Sequence, residues 1–265
     1  MTPQDRLVVC GIVIALFGIA LPAAAGNCSL TSPAHRLTVL ELYTSEGCNS
    51  CPPADRWLSS LPQRGITPEN AVLLAFHVDY WNQLGWPDRF SQASFSQRQR
   101  AVAARGRSGV VYTPQIVLDG RDLRAGTRPG DLAATVASIN AERAGATIRV
   151  DVRPEPGTLR ISGQVDLLDV RASSDVEAWL AVFENGLSSQ VSAGENAGKV
   201  LYHDFVVRVL AGPFPFGDGG HGRIDQSIRL GKDWNPQRIG VAIFVQRRDS
   251  GEILQASALS RLCGG

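Results

Sequence analysis

The spacing of apolar positions changes twice along the chain, and each change predicts a different kind of element. The run Leu37-Thr38-Val39-Leu40-Glu41-Leu42-Tyr43 is apolar and β-branched almost throughout and reads as a buried strand. Beyond it, Ala54, Trp57, Leu58 and Leu61 recur at i, i+3, i+4 and i+7, the spacing of a helix with one apolar face, and Pro62 ends the pattern. Ala71 to Asp79 is a second continuous apolar run. Two such strands around a helix predict a parallel βαβ unit covered on both faces. Trp86-Pro87-Asp88 opens a second helix, with Phe90, Ala93 and Val102 on its apolar face and Gly106 at its end. Arg98, Arg100, Arg105 and Arg107 form a basic cluster that reads as its solvated face. A third strand enters through Thr113-Pro114, turns at Asp119-Gly120 and returns over Asp122 to Gly126. Asp131, Leu132, Val136, Ile139 and Arg143 trace a last helix, closed by Gly145.

From Ala146 the period becomes two. Seven short runs follow: Thr147 to Val152, Leu159 to Leu167, Val176 to Glu184, Val200 to Leu210, Arg223 to Leu230, Arg238 to Gln246 and Ile253 to Leu262. Turn residues such as Pro154-Glu155-Pro156-Gly157 and Glu184-Asn185-Gly186 separate them. The expectation is an α/β domain over 37–145, a mixed sheet with flanking helices, followed without a linker by an all-β antiparallel sandwich over 146–265. His203-Asp204, Glu195-Asn196 and His221 in this half read as structural.

Chemistry concentrates at Gly47-Cys48-Asn49-Ser50-Cys51-Pro52-Pro53, where the first strand turns into the first helix. Cysteine attacks as thiolate, and a helix N-terminus stabilises that anion, lowering a pKa of about 8.5 to somewhere between about 3.5 and 7.5. Cys48 is the expected nucleophile. Cys51, one turn on, is placed to resolve a mixed disulfide. The carboxyl end of the second strand lies beside this turn, which brings His77 and Asp79 within reach as a proton relay and Trp81 and Trp86 as walls of a substrate groove. A structural bridge between residues three apart constrains the unfolded chain little, and a structural zinc site needs four ligands, so neither explains the pair as well as dithiol exchange.

At 265 residues, 44% hydrophobic and 19% charged, the chain can bury large cores, and a net charge of +1 leaves no footprint for nucleic acid. Arg6, the apolar run Leu7 to Leu21 and Pro22-Ala23-Ala24-Ala25-Gly26 read as a signal peptide over 1–25, followed by an N-terminal arm over 26–36. Its cleavage would place the protein in the periplasm or outside the cell with no stable membrane span; an uncleaved anchor is the alternative. Cleavage also removes Cys10, leaving an even set of cysteines. With Cys48 paired locally, Cys28 and Cys263 remain as a candidate structural disulfide between the chain ends.

The order strand, helix, strand, helix, strand, strand, helix, with Cys-x-x-Cys at the first turn and Thr113-Pro114 before the third strand, resembles the thioredoxin fold over 37–145. That resemblance implies a cis proline at Pro114, packed against the cysteines, and Thr113 backbone that pairs with extended substrate. More specifically, Leu42 to Cys48, Cys51 to Asp55, His77 to Trp81 and Tyr112 to Gln115 resemble the exported bacterial thioredoxin-like family catalogued as domain of unknown function 1223. The sequence departs from thioredoxin at Gly47, at Asn49-Ser50, at Glu46 and at Pro52, which disfavours helical geometry at Cys51.

The leading expectation is an exported thiol-disulfide oxidoreductase acting on protein or peptide thiols, directly or through a redox partner, and needing no cofactor. Two alternatives stay open. One is a periplasmic metal-binding or metallochaperone module using Cys48 and Cys51, with His77 as a candidate third ligand; the other is a non-catalytic binding protein with an oxidised Cys48–Cys51 pair.

Overall fold

The computed structural model describes residues 28–106, 109–123 and 132–263. The expected signal peptide, Arg107, the return strand beyond Leu123 and the helix start at Asp131 lie outside the described residues.

The continuous apolar run at Leu37 becomes β2 (Thr38–Thr44), preceded by a short β1 (Cys28–Thr31). The βαβ unit continues through α1 (Pro52–Ser60) to β3 (Ala71–His77), and β2 and β3 pair in parallel from Thr38 opposite Ala71 to Thr44 opposite His77. Then come α2 (Ala93–Arg105), β4 (Gln115–Leu118), β5 (Arg121–Asp122) and α3 (Leu132–Asn140). The second half is built of β6 (Ala146–Glu155), β7 (Thr158–Leu167), β8 (Val176–Glu184), β9 (Leu187–Gln190), β10 (Val200–His203), β11 (Val206–Pro215), β12 (His221–Arg229), β13 (Ile239–Arg247) and β14 (Ile253–Leu259).

These strands do not sort into the expected α/β thioredoxin-like fold and a following sandwich. The molecule is mostly β and is organised on one mixed sheet of eight strands, ordered β14-β13-β8-β11-β3-β2-β4-β5. The seam is β11, which lies parallel to β3 at Val206 opposite Ala75, with Ala75 N donating to Phe205 O at 2.8 Å. Apolar periodicity shows that β3 is covered on both faces but not which strand pairs with its edge. A second sheet, ordered β1-β6-β7-β12, packs on β8 and β13 through a core that includes Ile148, Val150, Ile161, Leu180, Val182, Val241 and Ile243. A separate core joins Leu40, Leu42, Tyr43 and Phe76 of the central strands to Leu58, Phe95 and Val136 of the helices.

Several local expectations shift. The run Val200 to Leu210 is two strands, because Phe205 takes φ +59° and the chain turns there, its N–H donating to Asn185 Oδ1 at 2.8 Å. β1 and β9 were not anticipated. α2 starts at Ala93 rather than at Pro87, since the Asp88 carboxylate is committed to a turn, accepting from Phe90 N at 2.9 Å. Arg98 is not on a solvated face: it is buried, its Nε and Nη2 each donating at 2.8 Å to Glu41, which explains an acidic residue within β2. At the chain ends, Cys28 and Cys263 form a disulfide with Cα atoms 5.5 Å apart.

Candidate dithiol site

The Cys-x-x-Cys segment is a chain of tight turns between β2 and α1. Cys48 N donates to Ser45 O at 3.2 Å and Cys51 N to Cys48 O at 3.2 Å. Cys51 caps α1, its carbonyl accepting from Ala54 N at 2.8 Å and Asp55 N at 3.1 Å. Pro52 and Pro53 fill the first helical positions, where a missing N–H costs no hydrogen bond. Cys51 nevertheless has helical dihedrals, φ −77° and ψ −40°, contrary to the effect expected of Pro52. The two cysteines are joined in a disulfide with Cα atoms 5.4 Å apart, and the Ser50 hydroxyl lies 3.3 Å from Cys48 Sγ.

Neither cysteine is exposed to solvent, at 0% each, although Asn49 and Ser50 between them are. The segment joining β9 to β10 is hydrogen-bonded to the backbone of this turn. Buried Asn196 donates from Nδ2 to Glu46 O at 2.8 Å and to Cys48 O at 3.0 Å, so one side chain ties down both carbonyls flanking Gly47. Beside it, Asn49 N donates to Glu195 Oε2 at 3.0 Å. On the opposite flank Trp81 packs against Gly47 so closely that a Cβ there would lie 3.1 Å from Trp81 Cβ.

The other residues singled out in the sequence fall into three groups. Pro114, joined to Thr113 by a cis peptide, immediately precedes Gln115, which pairs with Tyr43, so it stands level with the end of β2 where the cysteine segment begins. Thr113 Oγ1 accepts from Trp81 Nε1 at 2.7 Å, and Trp86 Nε1 donates to Glu46 Oε2 at 2.8 Å, so Trp81 is fastened to the residue before the cis proline and Trp86 to the residue two before Cys48. His77 ends β3 and is fully buried. Asp79, by contrast, is occupied by Ser96 of α2, whose hydroxyl meets both its backbone N–H and its carboxylate. Cys28 and Cys263 belong to the chain ends.

Beneath the disulfide segment lies a buried group of titratable side chains drawn from both halves. His77 Nδ1 is 2.6 Å from Asp88 Oδ2, which also accepts from Glu46 N at 2.9 Å. His203 of β10 stacks edge-on to His77 with ring centres 5.0 Å apart, places Nε2 3.2 Å from Glu46 Oε1 and Nδ1 3.8 Å from Asp55 Oδ2. The charges sort by partner. Burial and the nearby Asp88 charge would raise the Glu46 carboxyl, but the hydrogen bonds with His203, Ser189 and Trp86 together outweigh them and the net shift is downward. Burial likewise works against charge on His77 and Asp88, yet their attraction raises His77 and lowers Asp88. Asp55 goes the other way: burial pushes it above the usual carboxylate range despite the pull of His203 and His77.

Sequence reasoning treated His203 and Glu195-Asn196 as structural and passed over Asp55 and Asp88. One signal was readable in β10, whose alternation of exposed Val200 and Tyr202 with buried Leu201 and His203 puts a histidine on the inward phase. Asn196 carried none. Among the described residues no group of three or more His, Cys, Asp or Glu is arranged to hold a metal ion.

The family model described as "Protein of unknown function (DUF1223)" matches residues 39–246. The chain belongs to this family. The DUF1223 match runs from β2 through β13, so it takes in both cysteines and every member of the buried group. Among solved structures the chain is similar to protein AGR_C_4864 from Agrobacterium tumefaciens, with 25% identity and a TM-score of 0.60 over 87% of this chain and 96% of that one. It is also similar in fold to HBP35 of Porphyromonas gingivalis, with 15% identity and a TM-score of 0.64 over 87% of this chain and 76% of that one. No curated protein matches it.

Proposed function

We propose that this DUF1223 chain is an exported thiol-disulfide oxidoreductase. The observation that carries the reading is the Cys48–Cys51 disulfide at the start of α1, where the end of β2 meets the end of β3. Reduced, the Cys48 thiolate lies beside the N-terminal end of α1, whose dipole favours the anion although Pro52 and Pro53 present no N–H there. It attacks a substrate disulfide, forming a Cys48–substrate disulfide and releasing one substrate sulfur as thiolate. Cys51 loses its proton and attacks Cys48 Sγ; the second substrate sulfur leaves as thiolate and the Cys48–Cys51 bond closes. The substrate gains two electrons and the protein loses them. With a partner dithiol the same steps run in reverse. Pro114, Thr113, Trp81 and Trp86 border the approach to Cys48 and form the substrate groove in this reading.

Export is supported by two disulfides, a use of cysteine that belongs to oxidising compartments, and by the basic and apolar N-terminal segment. No helix among the described residues is long and apolar enough to cross a membrane. Stopped-flow alkylation of the reduced protein tests the assignment. Cys48 is expected to react at neutral pH faster than an exposed cysteine in a peptide, and equal rates would remove it as nucleophile.

A second reading has its own support, the complete burial of both cysteines in a turn whose backbone is held by Asn196. In that reading the pair is permanently oxidised and the protein binds a partner without redox chemistry. A Cys48→Ser, Cys51→Ser double variant with unaltered partner binding would favour it.

A further inference from the structure

A buried disulfide that opens by exchange has to dispose of charge. When the thiolate of a partner dithiol attacks Cys48 Sγ, the S–S bond breaks and its electron pair leaves on Cys51 Sγ. Cys51 has no exposed surface, so an unprotonated thiolate there is opposed by desolvation, and a proton must reach it from inside. Asp79, the carboxylate nearest in sequence beyond β3, is engaged by Ser96 and points its hydrogen bonding at α2.

Asp55 is differently placed. It follows Cys51 by four residues, one helical turn, which puts the two side chains on the same face of the start of α1, and both are buried. Its carboxylate is approached by His203 from β10 at 3.8 Å, and the His203 ring is itself held from the other side by Glu46 Oε1 at 3.2 Å. A surface cavity of about 260 Å³, lined by Pro52, Asp55, Arg56, Val200, Leu201 and Tyr202, opens beside this side of the helix, so Asp55 stands between the disulfide segment and solvent.

We propose that Asp55 exchanges a proton with Cys51 during disulfide opening and closing, and that His203, reaching in from the second half of the chain, is the positioning residue that sets when Asp55 releases it. The inference rests on the exchange reading above. On reduction the Asp55 carboxylic acid gives its proton to the departing Cys51 thiolate and becomes a carboxylate beside His203. A second thiolate from the partner dithiol then takes the partner's sulfur from Cys48, so the partner closes its own disulfide and the pair has gained two electrons. On oxidation of the pair, the Asp55 carboxylate accepts the Cys51 proton as Cys51 attacks. Burial holds Asp55 above the usual carboxylate range, which keeps the acid form available. The groups facing it from the packed elements are His203 of β10, His77 of β3, Thr44 of β2 and Asp88 of the following loop. His203 and His77 favour its ionised form and Asp88 opposes it.

The test is the reduction potential of the Cys48–Cys51 pair in the full mature chain, equilibrated with dithiothreitol from pH 4 to 9, for the native sequence, Asp55→Asn and His203→Gln. The native curve of potential against pH should bend where Asp55 of the reduced form titrates. Asp55→Asn should erase that bend. His203→Gln, which removes a group favouring the carboxylate, should move it to higher pH by about one unit, a tenfold change in the Asp55 acid equilibrium. Three superimposable curves would overturn the proposal and leave the exchange reading standing. A pair that resists reduction at every pH in the folded chain would overturn both. Should Asp55→Asn fail to fold, the His203→Gln shift decides the matter alone, since a merely structural histidine would change stability without moving the bend.

Discussion

Asn196 is the side chain that fastens the β9–β10 segment to both carbonyls flanking Gly47, and loosening that segment should expose the cysteines. In Asn196→Ala the hydrogen bonds to Glu46 O at 2.8 Å and Cys48 O at 3.0 Å are lost, while the helix, the disulfide and the buried carboxylates remain. Each bond contributes about 1 kcal/mol net, so the covered state loses about 2 kcal/mol relative to one in which the β9–β10 segment has swung away and water takes up the carbonyls. At about 1.4 kcal/mol per factor of ten, that raises the population of the open state about 30-fold. A water-soluble phosphine reaches the disulfide only in that open state, so reduction of Cys48–Cys51 should be about 30-fold faster in the variant at equal phosphine. Mass spectrometry after rapid alkylation reads the rate. The Cys28–Cys263 bond, at the chain ends, is the internal control and should be reduced at an unchanged rate. A folded Asn196→Ala protein whose Cys48–Cys51 pair is reduced less than threefold faster would refute the idea that this segment is what covers the sulfurs.

The remaining predictions concern stability. Because His77 is raised above its ordinary 6.5, its contribution is full below about pH 6.5 and is lost as pH rises through the folded value. Because Asp88 is lowered from 3.8, its contribution is full above about pH 3.8 and is lost as pH falls through the folded value. Urea titrations should therefore show the largest gap between the native chain and His77→Gln near pH 5 and a smaller one at pH 9; a gap that widens at pH 9 contradicts the sign. Gly47→Ala puts a methyl 3.1 Å from Trp81 Cβ and 3.4 Å from Trp81 O, and should cost about 1–3 kcal/mol by displacing that tryptophan, read as a lowered urea midpoint. Replacing Cys28 and Cys263 by serine opens a loop of 235 residues and should cost about 5 kcal/mol, seen as a large drop in Tm with the Cys48–Cys51 bond intact.

What the sequence disclosed followed from local rules. The runs at Leu37 and Ala71 are apolar on both phases, which names two doubly covered strands, and the i, i+3, i+4, i+7 spacing from Ala54 names the helix between them; both are present and pair as a βαβ unit. The cysteines and the Thr113-Pro114 step were visible as motifs. What failed was long-range. Nothing local to Ala75 announces that its N–H will be taken by Phe205, so the two halves were assigned separate folds when they share one sheet. The same seam carries His203 to Glu46 and Asp55, and Asn196 to Cys48. Each of these looked structural in its own segment because its chemistry lies with partners about 150 residues away. Asp55 illustrates a further difficulty: in a helix repeat an isolated carboxylate reads as solvated, and only the packed structure puts it on the buried face.

The central claim, that Cys48 and Cys51 exchange electrons with thiols rather than brace the fold, is tested most directly by the reduction potential of the pair at pH 7 in glutathione or dithiothreitol buffers. A value between about −270 and −120 mV is predicted, the interval spanned by dithiol oxidoreductases, with its position deciding between reductant and oxidant. A value below about −300 mV would contradict the claim and mark the pair as a structural bridge.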